Sequence, residues 1–175
     1  HYVQIKLFFY ILKIVMQTIH LPIKLLNDCK TVNLKIFIND FNLINKLEFS
    51  HAIVATTAEN QHLSHITNAF NNYFCGKNKI IDLPHDLITS SPFQLKVLSA
   101  LKKIPYGIQK TYGQLAQELK THPRAIGQAL KSNPLPLIYP CHRIISKNGI
   151  GGFIGQSTGN NISLKSALIK LEEQN

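Results

Sequence analysis

Short stretches of alternating hydrophobic and polar positions dominate the first half of the chain. Between Leu21 and Thr57, runs such as "LKIFIND" and "HAIVATT" are rich in β-branched and aromatic residues and are separated by Asn and Asp. A period of two bounded by turn residues predicts a small antiparallel sheet. The period then lengthens: in "NQHLSHITNAFNNYF" the residues Leu63, Ile66, Phe70 and Phe74 recur at helical spacing, and Gly76 supplies a stop. The stretch "KNKIIDLPHDLITSSP" has the proline and polar composition of a linker, which places a boundary near Thr89.

Beyond it the pattern is helical. In "SPFQLKVLSALKKI", Ser91 is the N-cap, Pro92 takes the first helical position, and Phe93, Val97, Leu98 and Leu101 share one face, with "PYG" ending the helix. Thr111 can cap "YGQLAQEL", "KTHP" breaks the chain, and "RAIGQALKS" begins just after Pro123. Two short helices joined by a tight turn have the outline of a helix-turn-helix, although any small helical hairpin shows the same pattern. Arg124, at the start of the second helix, is where such a motif directs side chains at nucleic acid; a solvated first-turn arginine is the plainer reading. The predicted class is α+β, with an N-terminal domain over residues 16–88 and a second over 89–175. Residues 1–15 precede Met16, the only methionine, and are read as an upstream or non-native extension, with a first strand as the alternative.

Charge changes this picture by naming a partner. The chain of 175 residues has a net charge of +10. It is unevenly placed: residues 1–88 carry eight basic against six acidic side chains, or +2, and residues 89–175 carry eleven against three, or +8. Such a field attracts polyanions. The N-terminal "HYVQIKLFFYILKIV" is broken by Lys6 and Lys13, leaving the run "LFFYIL", far short of the roughly 20 residues of a membrane span. Nucleic acid, not membrane, is therefore expected. Cys29, Cys75 and Cys141 form no CxxC pair, and their odd number points to free thiols in a reducing compartment, taken as the cytoplasm. His62 and His65 sit three apart with no second close pair, so no metal is expected, and no cofactor.

The chemistry concentrates in "PLIYPCHRIIS", Pro136 to Ser146. A free thiol ionises near pH 8.5, so a reactive cysteine needs a basic or cationic neighbour. His142 and Arg143 are adjacent in sequence, but consecutive strand residues face opposite ways. Direct contact between Cys141 and His142 therefore requires a turn, and a bridging water is the easier route. Pro140 suits a strand end or turn. A buried structural cysteine is the plainer alternative.

Taken with the upstream Asn133-Pro134 and the helix "RAIGQALKS", "PCHRII" resembles the active-site segment of the O6-alkylguanine-DNA alkyltransferases, the methylated-DNA–protein-cysteine methyltransferases. The resemblance runs from "SPFQLKVLSALKKIPYG" through "TYGQLAQEL" to "GGFIGQ" and the last helix, roughly residues 90–173, and more loosely covers "FNNYFCGK" and "IDLP". It implies a ribonuclease H-like N-terminal domain and a winged helix-turn-helix C-terminal domain. It further implies stoichiometric, irreversible transfer of an alkyl group from guanine O6, and from thymine O4, in double-stranded DNA to Cys141 of a monomer. By the same resemblance His142 acts as a base through water, Glu172 orients it, and Asn133 braces the turn before the cysteine. Arg124 enters the base stack, Tyr112 pushes on a phosphate, and Ala125, Gln128 and Arg143 join them at the DNA. Tyr112, Pro136, Phe153, Ile154 and Gly155 form the pocket. Phe153 stands where the family usually has a tyrosine, Gln156 replaces a glycine, and Ser166-Ala167 replace Glu-Trp, so a more apolar pocket is expected. Two rivals remain at this point: a non-catalytic winged-helix DNA-binding protein with an inert cysteine, and a multiple-turnover cysteine hydrolase.

Overall fold

A computed structural model describes residues 17–24, 31–50, 63–89 and 91–175. The extension 1–15, the run "HAIVATT", His62 and Cys29 lie outside the described residues. Strands β1 (Gln17–Lys24), β2 (Thr31–Ile38) and β3 (Ile44–Ser50) form an antiparallel sheet in that order. Alternation selects its inner face: Ile19, Leu21, Ile23, Val32, Leu34, Ile36, Ile38, Ile44 and Leu47 are buried. Pro22 is tolerated in β1 because β1 is an edge strand. Between β2 and β3, the Asn39 side chain accepts from the backbone N–H of Phe41 and Leu43, and Asn42 adopts φ 59°. The result is a mixed α/β protein with a small antiparallel sheet.

Helix α1 (Ser64–Phe74) buries Ile66 and Phe70 as its spacing predicts, but the third fully buried position is Tyr73, while Phe74 is half-buried. Gly76 ends it with φ 70°, the Gly76 N–H bonding the Tyr73 carbonyl and the Lys77 N–H that of Asn72. That is a Schellman motif, which favours glycine at the left-handed position. The segment with linker composition is not loose. Ile81 and Leu83 are buried, and it runs beside β3 through Ile44 N–H to the Pro84 carbonyl and Asp86 N–H to the Ile44 carbonyl.

Helix α2 (Pro92–Leu101) starts at Ser91, whose hydroxyl accepts from the Gln94 N–H, with Pro92 in the first turn. Its inner face differs from expectation at one position: Phe93 is 36% exposed, whereas Gln94 is buried. The Gln94 amide donates to the carbonyls of Ala129 and Ser132 and to the Ser132 hydroxyl. Carbonyls at a helix end lack intrahelical partners, and a glutamine satisfies them where phenylalanine cannot. After strand β4 (Lys110–Thr111) comes α3 (Tyr112–Glu118), begun by a reciprocal capping box between Thr111 and Gln114. Helix α4 (Pro123–Lys131) buries Ile126, Ala129 and Leu130 against the neighbouring helices. A 3-10 turn, Cys141–Arg143, leads into β5 (Ile144–Ile145), which pairs in parallel with β4, and α5 (Asn160–Gln174) closes the chain. Among the described residues, no helix is long and apolar enough to cross a membrane.

The sheet half touches the second half where the chemistry lies. The Leu47 N–H donates to the Pro134 carbonyl, and the Phe49 ring lies 6.2 Å from that of Phe153.

Candidate active site

Cys141 opens the 3-10 turn, so the chain does turn at the thiol and does not continue as a strand. Asn133 braces the approach: its amide N–H donates to the Tyr139 carbonyl at 2.9 Å, and its side-chain oxygen accepts from the Leu135 N–H. Cys141 is 4% exposed, yet it lines a cavity of about 240 Å³ with Tyr112, Gly127, Leu130, Lys131 and the loop from Gly152 to Ser157. Burial pushes the thiol up to about 11, against the hydrogen bond from Asn133 and the charge of Lys165. The resting group is a thiol and needs a base.

The next residue is a candidate for that base. His142 is fully buried, and its Nε2 lies 2.8 Å from Glu172 Oε1. Glu172 receives more donors than His142 alone. Arg143 meets it with Nε (2.9 Å to Oε2) and Nη2 (2.8 Å to Oε1), Tyr73 donates its hydroxyl at 2.5 Å, and the Gly107 N–H donates at 2.9 Å. Burial pushes the carboxyl up, but the hydrogen bonds from His142, Arg143 and Tyr73 outweigh it and hold Glu172 well below the usual carboxylate range. An ionised carboxylate only accepts. The proton on His142 therefore sits on Nε2, which leaves Nδ1 with a lone pair. Nδ1 is buried and has no hydrogen-bond partner among the described residues. Burial lowers the imidazole below its ordinary value, the Glu172 bond only partly opposing this, so His142 is neutral at neutral pH and can accept a proton.

Two expectations are corrected. Arg143, expected at the DNA and as a cationic neighbour of the thiol, is buried, and besides Glu172 its Nη1 donates to the Ile104 carbonyl at 2.7 Å. Its donors are turned inward, holding the carboxylate. Pro136, expected in the pocket wall, is buried within the loop that precedes the cysteine and does not line the cavity.

The charge that the thiol feels is that of Lys165, to which the sequence assigned no role. It is fully buried, and its ammonium donates to the carbonyls of Ile144 (2.5 Å), Ile150 (2.7 Å) and Gly152 (2.9 Å). Burial lowers it to about 8, with the charge of Cys141 opposing. It ties the cysteine segment to the glycine-rich loop. That loop closes on itself through mutual backbone bonds between Phe153 and Gln156, with Ile154 at φ 46° and Gly155 at φ 75°. Phe153, Ile154 and Gly155 all line the cavity, as does Tyr112, whose hydroxyl donates to the Gly152 carbonyl. Arg124 and Gln128 are exposed and Ala125 is half-exposed along α4, on the side away from Ile126, Ala129 and Leu130.

Fold and site together set a cavity-lining thiol next in sequence to a buried histidine that is hydrogen-bonded to a glutamate, with Arg124 and Gln128 exposed on α4. Residues 92–174 match the family model described as the DNA-binding domain of 6-O-methylguanine DNA methyltransferase. The methylated-DNA–protein-cysteine methyltransferase of Archaeoglobus fulgidus is 45% identical over 101 residues, 57% of this chain and 68% of that one. The protein of the same name from Sulfolobus acidocaldarius is 40% identical over 129 residues, 74% of this chain and 79% of its own. Among solved structures, the Mycobacterium tuberculosis OGT in complex with DNA matches with a TM-score of 0.68 and 31% identity, covering 81% of this chain and 87% of that one. The chain belongs to the O6-methylguanine-DNA methyltransferase family.

Proposed function

We propose that the protein repairs double-stranded DNA directly, by moving a methyl or other alkyl group from guanine O6, and by the same chemistry thymine O4, irreversibly to Cys141. The observation that carries this reading is the meeting at one turn of a cavity-lining thiol and a histidine whose Nε2 is committed to Glu172. A water between Sγ and His142 Nδ1 would carry the thiol proton to the imidazole, and the resulting imidazolium is held by the carboxylate. The thiolate attacks the alkyl carbon, the carbon–sulfur bond forms as the carbon–oxygen bond breaks, and the bond electrons return to the base, which takes up a proton. Ser157, in the cavity wall, has a hydroxyl to offer the departing oxygen where Phe153 has none. The product is a thioether with no activated carbonyl, so each molecule acts once and needs no cofactor. Lys165 balances the negative charge while sulfur carries it.

A base inside a duplex is out of reach of a buried thiol, so it must leave the stack at a cost of a few kcal/mol. We assign residues 89–175 to a winged helix-turn-helix domain that does this, with Arg124 filling the vacated place and Tyr112, Ala125 and Gln128 at the backbone and groove. Residues 16–88 form the ribonuclease H-like domain. The protein works as a monomer in the cytoplasm, where its thiols stay reduced. A regulator with an inert cysteine has no use for a saturated relay at a cavity floor.

The test is incubation with O6-methylguanine duplex followed by peptide mass analysis. The expected result is one added methyl per protein, on the Cys141 peptide; turnover beyond one methyl per molecule would exclude the mechanism. A second expectation concerns Arg124→Ala. It should slow repair of duplex by about tenfold or more while sparing transfer from free O6-benzylguanine, since only the duplex requires extrusion. Equal losses on both substrates would remove the wedge role.

A further inference from the structure

Glu172 accepts from a residue that no feature of the C-terminal half supplies. Tyr73 lies on α1, ninety-nine residues upstream, and is 1% exposed. Its hydroxyl donates to Glu172 Oε1 at 2.5 Å and comes within 3.4 Å of His142 Nε2. Its ring is held edge-on by Phe74 and Tyr106, with centroids at 5.4 and 5.8 Å. A phenylalanine would keep both ring contacts, so packing does not explain the hydroxyl. Burial, and then Glu172, push the phenol well above its ordinary value, so it stays protonated and its hydroxyl donates to Glu172.

We propose that Tyr73 is a positioning residue of the relay: its hydroxyl shares Glu172 Oε1 with His142 and so sets how strongly the carboxylate draws on the imidazole. The claim rests on the alkyl-transfer reading above and adds to it that the N-terminal domain takes part in the chemistry. The same carboxylate oxygen serves both donors, so each hydrogen bond weakens the other. With Tyr73 in place the imidazole is less basic and stays neutral to lower pH. The charged and titratable groups facing it are Glu172 on α5, His142 and Arg143 on the 3-10 turn, and Tyr106 on the loop between α2 and β4, with Lys79 over the Tyr106 ring. His142 also feels Lys165 and Arg143, the latter a further donor to Glu172 Oε1.

The experiment uses the full chain with Tyr73→Phe and, separately, a ring-fluorinated tyrosine at 73, whose more acidic hydroxyl donates more strongly at the same size. Nitrogen NMR of the His142 ring without DNA reads the titration midpoint, and the acid limb of single-turnover methyl transfer at saturating DNA reads its effect. With Tyr73→Phe both midpoints should rise by about half a pH unit. With the fluorinated ring both should fall. A purely structural residue would not move them in opposite directions, and Phe70→Leu on the same helix should lower stability without moving either. Midpoints unmoved in both folded variants, or moved in the same direction, overturn the proposal. If the wild-type protein transfers no methyl while the NMR midpoints move as stated, the function reading fails and the coupling stands.

Discussion

Cys141→Ser should retain the fold and bind alkylated duplex as the unchanged protein does, yet transfer nothing. Serine differs from cysteine by one atom at a site that is 4% exposed, so the turn and its bonds to Asn133 survive. The chemistry does not survive, because an alcohol is far harder to ionise than a thiol, and the relay has the strength of a single imidazole. The check is retention of a labelled methyl on DNA, with gel-shift affinity measured on the same preparations. Cys75 sharpens the test: it is exposed while Cys141 is buried. If accessibility governed reactivity, label would collect on Cys75. If the relay governs it, label appears on Cys141 alone, and label on Cys75 or Cys29 in the unchanged protein would sink the assignment.

Glu172→Gln should cost both stability and rate. The amide has the same shape, but it leaves Arg143 buried without its counter-charge, and breaking a buried pair from one side costs about 3–5 kcal/mol. It also lets the amide donate toward His142, which disturbs the tautomer that frees Nδ1. The pH dependence has a definite sign. The folded-state carboxyl is held below its unfolded value, so its contribution is fully present above about pH 4.3 and is lost as pH falls from there toward the folded value. Urea unfolding at a series of pH values should therefore show a gap between the two proteins that is constant near neutrality and narrows below about pH 4. A gap independent of pH would mean that the ion pair does not hold the fold. Single-turnover transfer in the variant should be slowed by about a hundredfold or more even at temperatures where it is folded, as expected when general-base assistance is lost.

Features of this molecule that depend on near neighbours were legible in order along the chain. Ser91 with Pro92, the Thr111 cap, Pro123 at the head of α4 and the Gly76 stop each need only three or four consecutive residues to do their work. The Cys141-His142 pair, Asn133 and Glu172 could be placed because a resemblance linked them, and the helix pair because its breaks are local. What was misread is polar and buried. Arg143 looked like a surface cation, Lys165 and Tyr73 drew no role, and Gln94 lost its inner place to Phe93. A charged or polar side chain is expected in water unless partners replace that water. Those partners are the carbonyls of Ile144, Ile150 and Gly152 for Lys165, the carboxylate of Glu172 for Tyr73 and Arg143, and the end of α4 for Gln94. The sequence by itself therefore determined the local helix starts and stops, the basic half and the candidate nucleophile. Which polar side chains turn inward, and with them the charge that the thiol feels and the share of the N-terminal domain in the relay, was decided only when the chain folded and brought distant acceptors within hydrogen-bond reach.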